Sequence, residues 1–239
     1  ENVPVTINLA EGTYSPSNSG ETFPIEMISH INLIGQGEEV TILDAEGSEE
    51  NQRRVIKMEN CQNNIISDLT ITGGNPRSNP DKPSGGGMYL SYSNPTLTNV
   101  TISYNTATGD GGGMYLRQSS PTLTGVTFSY NTAEFSGGGM GLSNSNPTLT
   151  RVIFSGNTSG GLGGGMSLAS SSPTLTNVTF SGNTADGGGG MFLGVSSPTL
   201  TSVTFSGNTA GQSGGGMVIF NSFLTTLTSV TFSGNTANL

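Results

Sequence analysis

One stretch of the chain decides the fold: residues 163–185 read GGGMSLASSSPTLTNVTFSGNTA. Apolar and polar residues alternate there in three short runs, at Met166–Leu168, Thr174–Thr176 and Val178–Phe180. Alternation with a period of two is typical of β-strands that bury one face. The glycine triplet and Pro173 interrupt the runs and predict bends between them. The stretch therefore predicts three short strands joined by bends, with no helical period.

Six copies of this unit follow one another, each 25 to 27 residues long. A period of this length is the signature of a solenoid, in which each repeat packs on its neighbours. The tetrapeptide Gly-Gly-Gly-Met ends at Met88, Met114, Met140, Met166, Met191 and Met217. The segment Thr-Leu-Thr centres on Leu97, Leu123, Leu149, Leu175, Leu200 and Leu227.

Three strands and their bends describe one coil of a parallel β-helix, in which successive coils stack about 4.8 Å apart. Equivalent Leu, Val, Phe and Met side chains then form rows inside, and Thr and Ser side chains face water. Because a parallel solenoid pairs nearly all its backbone polar groups, a narrow core suffices. An up-and-down barrel would need hairpin turns at alternate strand ends, and the identical phase of every copy disfavours it.

The first 82 residues follow the same pattern less regularly, with insertions at Pro16–Glu21 and Asn75–Ser84. We expect one β-helix domain over residues 1–239, with irregular, charged coils at 1–82 and six near-identical coils at 83–239. Length and period together give about nine coils of roughly 26 residues. In the first part, strands are predicted at Val5–Leu9, Ile31–Ile34, Val40–Leu43, Val55–Met58 and Ile65–Ile71.

Composition excludes several classes of function. The 239 residues include 7 basic and 16 acidic residues, a formal charge of −9 that disfavours nucleic acid as a partner. No apolar run reaches the roughly 18 residues that a membrane helix needs, so we expect no membrane insertion of this segment. With Cys61 as the one cysteine and no Cys/His cluster, we expect no disulfide, metal or cofactor.

Charge is distributed unevenly along the chain. Residues 1–82 hold thirteen acids and five bases, whereas residues 83–239 hold three acids and two bases. Any charge-dependent function is therefore expected near the N-terminal end. The chain also begins at Glu1 with no signal peptide, which predicts a processed or trimmed form.

Two sets of residues resemble known families. The paired signatures Gly-Gly-Gly-Met and Phe-x-x-Asn resemble the GGA-aliphatic and FxxN repeats of chlamydial polymorphic outer membrane proteins. The segments INLAEGTY at 7–14 and INLIG at 31–35 are similar to the start of pectate-lyase-like right-handed β-helices. The resemblance implies an all-β, right-handed, single-stranded parallel β-helix. It also implies a secreted or surface-displayed bacterial protein, such as an adhesin or an autotransporter-like passenger.

The resemblance implies what an enzyme of this fold would need. β-Helix polysaccharide lyases use acidic clusters to bind calcium and a basic residue as proton acceptor, and glycosidases on this scaffold need two carboxylates on adjacent coils. The repeats hold only Asp110, Glu134 and Asp186, which form no pair at one phase and no calcium array. We therefore expect no enzyme and no catalytic residue. Solvated loop charge accounts for the richer N-terminal set, Asp44, Arg53, Arg54, Lys57 and Asp68.

Three sets of side chains recur at fixed places in the coils. Asparagines at one bend predict a structural hydrogen-bonded ladder, Asn105, Asn131, Asn157, Asn183, Asn208 and Asn235. An outward first Thr rank is Thr96, Thr122, Thr148, Thr174, Thr199 and Thr226. A second Thr rank is Thr98, Thr124, Thr150, Thr176, Thr201 and Thr228.

The function expected from these features is a structural or adhesive stalk, extracellular and bacterial, whose partner is carbohydrate or a cell-surface protein. Candidate partner contacts are the outward residues beside the glycine bends that vary between coils, Tyr89, Tyr115, Phe192 and Val218. Three alternatives stay open. The open ends, unless they reflect truncation, predict head-to-tail self-association into a filament. The Thr-x-Thr ranks resemble the ice-binding face of β-helical antifreeze proteins, and a polysaccharide lyase or hydrolase is the third alternative.

Overall fold

The computed structural model describes residues 3–77 and 83–238. These residues form an all-β parallel solenoid of about nine turns of roughly 26 residues, as the sequence predicts. The coils of the N-terminal part contain the strands Val5–Asn8, Gly12–Tyr14, Ile25–Met27, Ile31–Ile34, Thr41–Asp44, Ile56–Glu59 and Ile65–Thr72.

Each repeat contributes strands to four series. The Met strands are Met88–Ser91, Met114–Arg117, Met140–Ser143, Met166–Ala169, Met191–Gly194 and Met217–Phe220. The Leu strands are Thr96–Ser103, Thr122–Thr124, Thr148–Thr150, Thr174–Thr176, Thr199–Thr201 and Thr226–Thr228. The Phe strands are Thr127–Ser129, Ile153–Ser155, Thr179–Ser181, Thr204–Ser206 and Thr231–Ser233, and Thr96–Ser103 serves both series in its coil. The Thr-Ala strands are Thr106–Ala107, Thr132–Ala133, Thr158–Ser159, Thr184–Gly187, Thr209–Ser213 and Thr236–Ala237.

The prediction of three strands per coil is wrong, because the Thr-Ala strands form a fourth series with its own six-stranded sheet. Two alternating residues are too few to give a periodic signal. Sequence reasoning also missed Gly12–Tyr14 and Ile25–Met27 in the N-terminal coils. The predicted insertion Asn75–Ser84 falls partly outside the described residues, at 78–82.

Equivalent residues of successive coils lie directly above one another. Met114 pairs with Met88 and Met140, and Leu123 pairs with Leu97 and Leu149, all in parallel. This register keeps the apolar side chains of each coil inside. A slip of one residue would instead turn those side chains towards solvent.

The core is a set of side-chain stacks that run along the solenoid. Phe128, Phe154, Phe180 and Phe205 are fully buried, and neighbouring ring centroids lie 4.8 Å apart. The planes of adjacent rings differ by 4–5°. Each buried ring stabilises the fold by about 1.5–3 kcal/mol through removal of apolar surface from water.

The bend after each Phe strand holds the asparagines in a continuous chain of hydrogen bonds. Asn131 donates to the Asn157 Oδ1 atom from both its backbone nitrogen, at 3.1 Å, and its Nδ2 atom, at 3.0 Å. Asn157 donates in the same way to Asn183, and all three residues are fully buried. The amides therefore satisfy the backbone of the bend, where strand pairing stops.

The glycine triplets are required by their geometry. Gly163 has a φ of 68°, in the left-handed region that favours glycine. A Cβ atom on Gly164 would lie 2.5 Å from the carbonyl oxygen of Gly189 in the next coil. The triplet thus allows consecutive coils to approach closely just before each Met strand.

Candidate functional site

The outer face of the Met strands carries a notch between two aromatic rings. At the second position of these strands, Tyr115 and Phe192 stand three coils apart and are separated by Gly141 and Ser167. Three intervals of 4.8 Å place the two aromatic positions about 14 Å apart along the solenoid. The small residues between them leave a cavity of about 350 Å³.

Glycines next to the two aromatic rings shape the walls of this notch. A Cβ atom on Gly141 would lie 3.1 Å from the Cδ2 atom of Tyr115, so the Tyr115 ring leans over Gly141. Similarly, a Cβ atom on Gly194 would lie 3.2 Å from the Cε1 atom of Phe192. Gly141, Ser143 and Ser167 form the floor. The notch therefore has two aromatic walls and a floor of small, partly hydroxylated residues.

The third side of the notch comes from the loops that lead into the glycine triplets. Asp110, Ser136 and Leu162 lie there, and Ser136 and Leu162 are held together by a parallel β-bridge. The Asp110 backbone nitrogen donates a hydrogen bond to the Ser84 Oγ atom at 3.1 Å. Asp110 is the acid of the lining, and the lining holds no Lys or Arg among the residues that the structure describes.

Burial changes the acidity of both titratable groups in the notch. Loss of hydration raises the pKa of the Asp110 carboxyl above its usual range, and a hydrogen bond with the Ser136 backbone opposes the rise. Burial also raises the pKa of the Tyr115 hydroxyl, and the nearby Asp110 carboxylate adds to that effect. Tyr115 is therefore a neutral hydroxyl at physiological pH.

The other two candidate partner contacts do not belong to the notch. Tyr89 is only 4% exposed, because the Arg54 guanidinium lies 4.8 Å from its ring centroid and the Tyr115 ring stacks on it with a centroid distance of 6.0 Å. Arg54 also donates hydrogen bonds to the backbone oxygens of Gly85 and Ser84, and its burial lowers its pKa to about 10. The expectation that Tyr89 is accessible is wrong. Val218 is half-buried and does not line the notch.

Both Thr ranks face outward on the Leu strands. The first rank is exposed in all six coils, and the second is half-buried in five coils and exposed at Thr228. Strict pairing aligns Thr148 with Thr122 and Thr174. Within the described parts of the chain, the twelve side-chain hydroxyls make no hydrogen bond to the protein.

Sequence reasoning missed two further hydrogen-bonded ladders. A buried serine ladder precedes each Leu strand: Ser119 donates its backbone N–H to the Ser145 Oγ atom at 3.0 Å, and Ser145 donates likewise to Ser171. Its remaining members are Ser93, Ser196 and Ser222. An outer ladder lies one residue further along, formed by Asn94, Ser120, Asn146, Ser172 and Ser197. The recurrence of these residues before each Leu strand was the available signal.

The charged N-terminal residues are engaged in local contacts. The Lys57 Nζ atom lies 3.0 Å from a Glu59 carboxylate oxygen and 3.6 Å from one of Glu26, and the bond to Glu59 raises the pKa of Lys57. Asp68 accepts a hydrogen bond from the Asn99 side chain at 3.0 Å. Asp44 accepts one from the Glu46 backbone at 2.8 Å. Hydrogen bonds from the Ser17 and Ser15 side chains lower the pKa of Glu46, and the charge of Arg53 adds to that effect.

Residues 3–77 and 83–238 offer neither a metal site nor a membrane-spanning helix. No group of three or more His, Cys, Asp or Glu side chains is placed to hold a metal ion there. Nor does that part of the chain contain a helix with the length and hydropathy to span a bilayer.

Several solved structures are similar to this chain at low sequence identity. The A-module of the mannuronan C-5 epimerase AlgE4 from Azotobacter vinelandii is 16% identical, with a TM-score of 0.41 over 88% of this chain and 66% of that one. The family GH82 iota-carrageenase from A. fortis is 15% identical, with a TM-score of 0.40 over 87% and 48%. This chain thus spans about two thirds and half of their lengths. No curated protein matches the sequence.

A family model for the right handed beta helix region matches residues 29–162 and 98–238. That match does not extend to the chlamydial repeats, so the resemblance to them stays a prediction. Because the matched ranges cover most of the sequence, the chain belongs to the right-handed β-helix family.

Proposed function

We propose that this chain is an extracellular, non-enzymatic stalk of a bacterial surface or secreted protein, and that it adheres to carbohydrate through the notch between Tyr115 and Phe192. The observation that carries the proposal is the notch itself. At the outward second position of the Met strands, the large rings of Tyr115 and Phe192 enclose the small residues Gly141 and Ser167.

The chemistry of the notch fits a neutral sugar. The apolar C–H face of a pyranose ring packs on aromatic side chains, which offer large apolar surfaces at a low cost in conformational entropy. Serine hydroxyls and the Asp110 carboxyl can exchange hydrogen bonds with sugar hydroxyls. The acidic group and the lack of Lys or Arg in the described lining disfavour an anionic sugar. A cavity of about 350 Å³ accommodates one or two sugar residues.

The rod-like part of the proposal rests on the ladders. Asparagine, serine and phenylalanine stacks run through successive coils, so each coil is held to its neighbours by side chains as well as by strands. Such a solenoid is stiff and offers a protease few exposed loops. It therefore holds the notch at a fixed distance from whatever anchors the protein.

A glycan array followed by calorimetric titration tests the adhesive role. Neutral hexose oligosaccharides are expected to bind, and Ser167→Leu, which fills the floor, is expected to abolish binding. Phe192→Ala should weaken affinity by about tenfold, the usual loss when a central aromatic contact is removed. Tyr130→Ala is the matched control, since Tyr130 is an exposed ring at another corner of the coil. Equal loss in the control and in Phe192→Ala, or no binding to any glycan, contradicts the proposal.

A further inference from the structure

The two Thr ranks on the Leu strands form a regular lattice of hydroxyl and methyl groups. Successive coils are 4.8 Å apart, as the Phe ring stack shows, and the two ranks are about 6.6 Å apart along each strand. Six coils in register give an array two residues wide and about 24 Å long. Both repeats lie close to the spacings of oxygen atoms on the prism plane of ice. We propose that this Thr face binds ice. The inference concerns a different face from the notch and does not rest on the proposed function.

The hydroxyls of this face differ from the side chains of the three hydrogen-bonded ladders in being uncommitted. The asparagine, inner serine and outer Asn/Ser ladders all use their side chains to bond the next coil. By contrast, the twelve Thr hydroxyls make no hydrogen bond within the described parts of the chain. Mere copying of repeats explains the regularity of all these sets. The outward residues of the Phe strands also lack side-chain hydrogen bonds in most of the described coils, but that array mixes Thr with Ser and is interrupted by Ile153, whereas both Thr ranks are threonine in all six coils.

The Thr face is also rigid in the absence of ice. Five of the six Thr pairs flank a fully buried leucine, such as Leu149 or Leu175, so the backbone below them is fixed by the core. Thr side chains have restricted χ1 rotation, and parallel pairing on both sides further limits it. An array ordered in advance loses little entropy when it meets an ordered surface.

The lack of charge on the Thr face also favours ice as its partner. Both ranks consist of threonine alone, and the outer ladder beside them is made of Asn and Ser. On the other flank, the corner residue between the Leu and Phe strands is Arg151 in one coil and uncharged in the other five. Charged side chains hold strongly oriented hydration shells that do not match an ice lattice, and only this edge position carries one.

Nanolitre osmometry of the purified protein, with observation of crystal shape, tests the inference. We expect a gap between melting and freezing temperatures and faceted ice crystals for the wild type. Thr148→Tyr, or Thr174→Tyr as a second variant, places a bulky ring in the lattice and should remove most of the gap. Thr158→Tyr is the matched control, because Thr158 is an exposed threonine on a Thr-Ala strand, and it should retain the gap.

Two results would overturn the inference. One is the absence of any freezing gap or crystal shaping with folded protein at millimolar concentration. The other is an equal loss in Thr148→Tyr and Thr158→Tyr while circular dichroism shows both variants folded.

Discussion

The asparagine ladder gives the sharpest stability prediction, through the substitution Asn157→Ser. The shorter side chain cannot reach the partners of the amide. The Asn131 backbone N–H, 3.1 Å from the Asn157 Oδ1 atom, then loses its acceptor, and the Phe128 carbonyl loses a donor at 2.9 Å. The Asn131 side chain keeps its bond to Ile102, and the Asn183 Oδ1 atom keeps its bond from the backbone of residue 157.

Two buried groups without partners cost about 1–3 kcal/mol each, so the free energy of unfolding should fall by about 2–6 kcal/mol. Urea unfolding followed by far-UV circular dichroism should show a midpoint lower by about 1 M or more. Asn177→Ser is the matched control, since it makes the same change at an exposed corner where the chain itself has serine, at Ser202. If Asn157→Ser unfolds at the midpoint of that control, the ladder does not stabilise the solenoid in the way described.

Two further predictions concern the notch and the core. The folded-state pKa of Asp110 is raised, so its stabilising contribution is present below the unfolded pKa of about 3.9 and is lost as the pH rises through the folded value. Asp110→Asn should therefore raise the melting temperature at neutral pH and leave it nearly unchanged near pH 3; a rise of the same size at both values would refute the burial argument. Phe180→Ala should cost about 3–5 kcal/mol in urea unfolding, against less than about 1 kcal/mol for the exposed ring in Phe135→Ala, and similar costs would show that the Phe stack is not the core.

Much of the fold is predictable because a given position of the repeat has the same surroundings in every coil. The phase of the apolar residues identifies the inward positions, so Leu175, Phe180 and Asn183 are assigned correctly to the interior from one repeat. The Thr-Ala strands escape because two residues carry no period. The serine ladders escape because hydroxyls before a strand are equally typical of an exposed turn.

The candidate site is less predictable, since phase gives the direction of a side chain and not what covers it. Tyr89 and Tyr115 occupy the same position of neighbouring coils, yet Arg54 from an irregular coil covers Tyr89. Tyr115 leans over Gly141 because that coil lacks a side chain there. Asp110 borders the notch through a loop whose path no alternation describes.

The adhesive role depends on where a sugar binds, and backbone NMR of the 24.4 kDa protein measures that directly. Titration with a neutral hexose oligosaccharide should shift the amide signals of residues 141–143, 167–169 and 192–194, the strands that form the floor and one wall of the notch. Those shifts should disappear in Ser167→Leu. Shifts confined to other faces of the solenoid, or no shifts with any neutral sugar, would contradict the account.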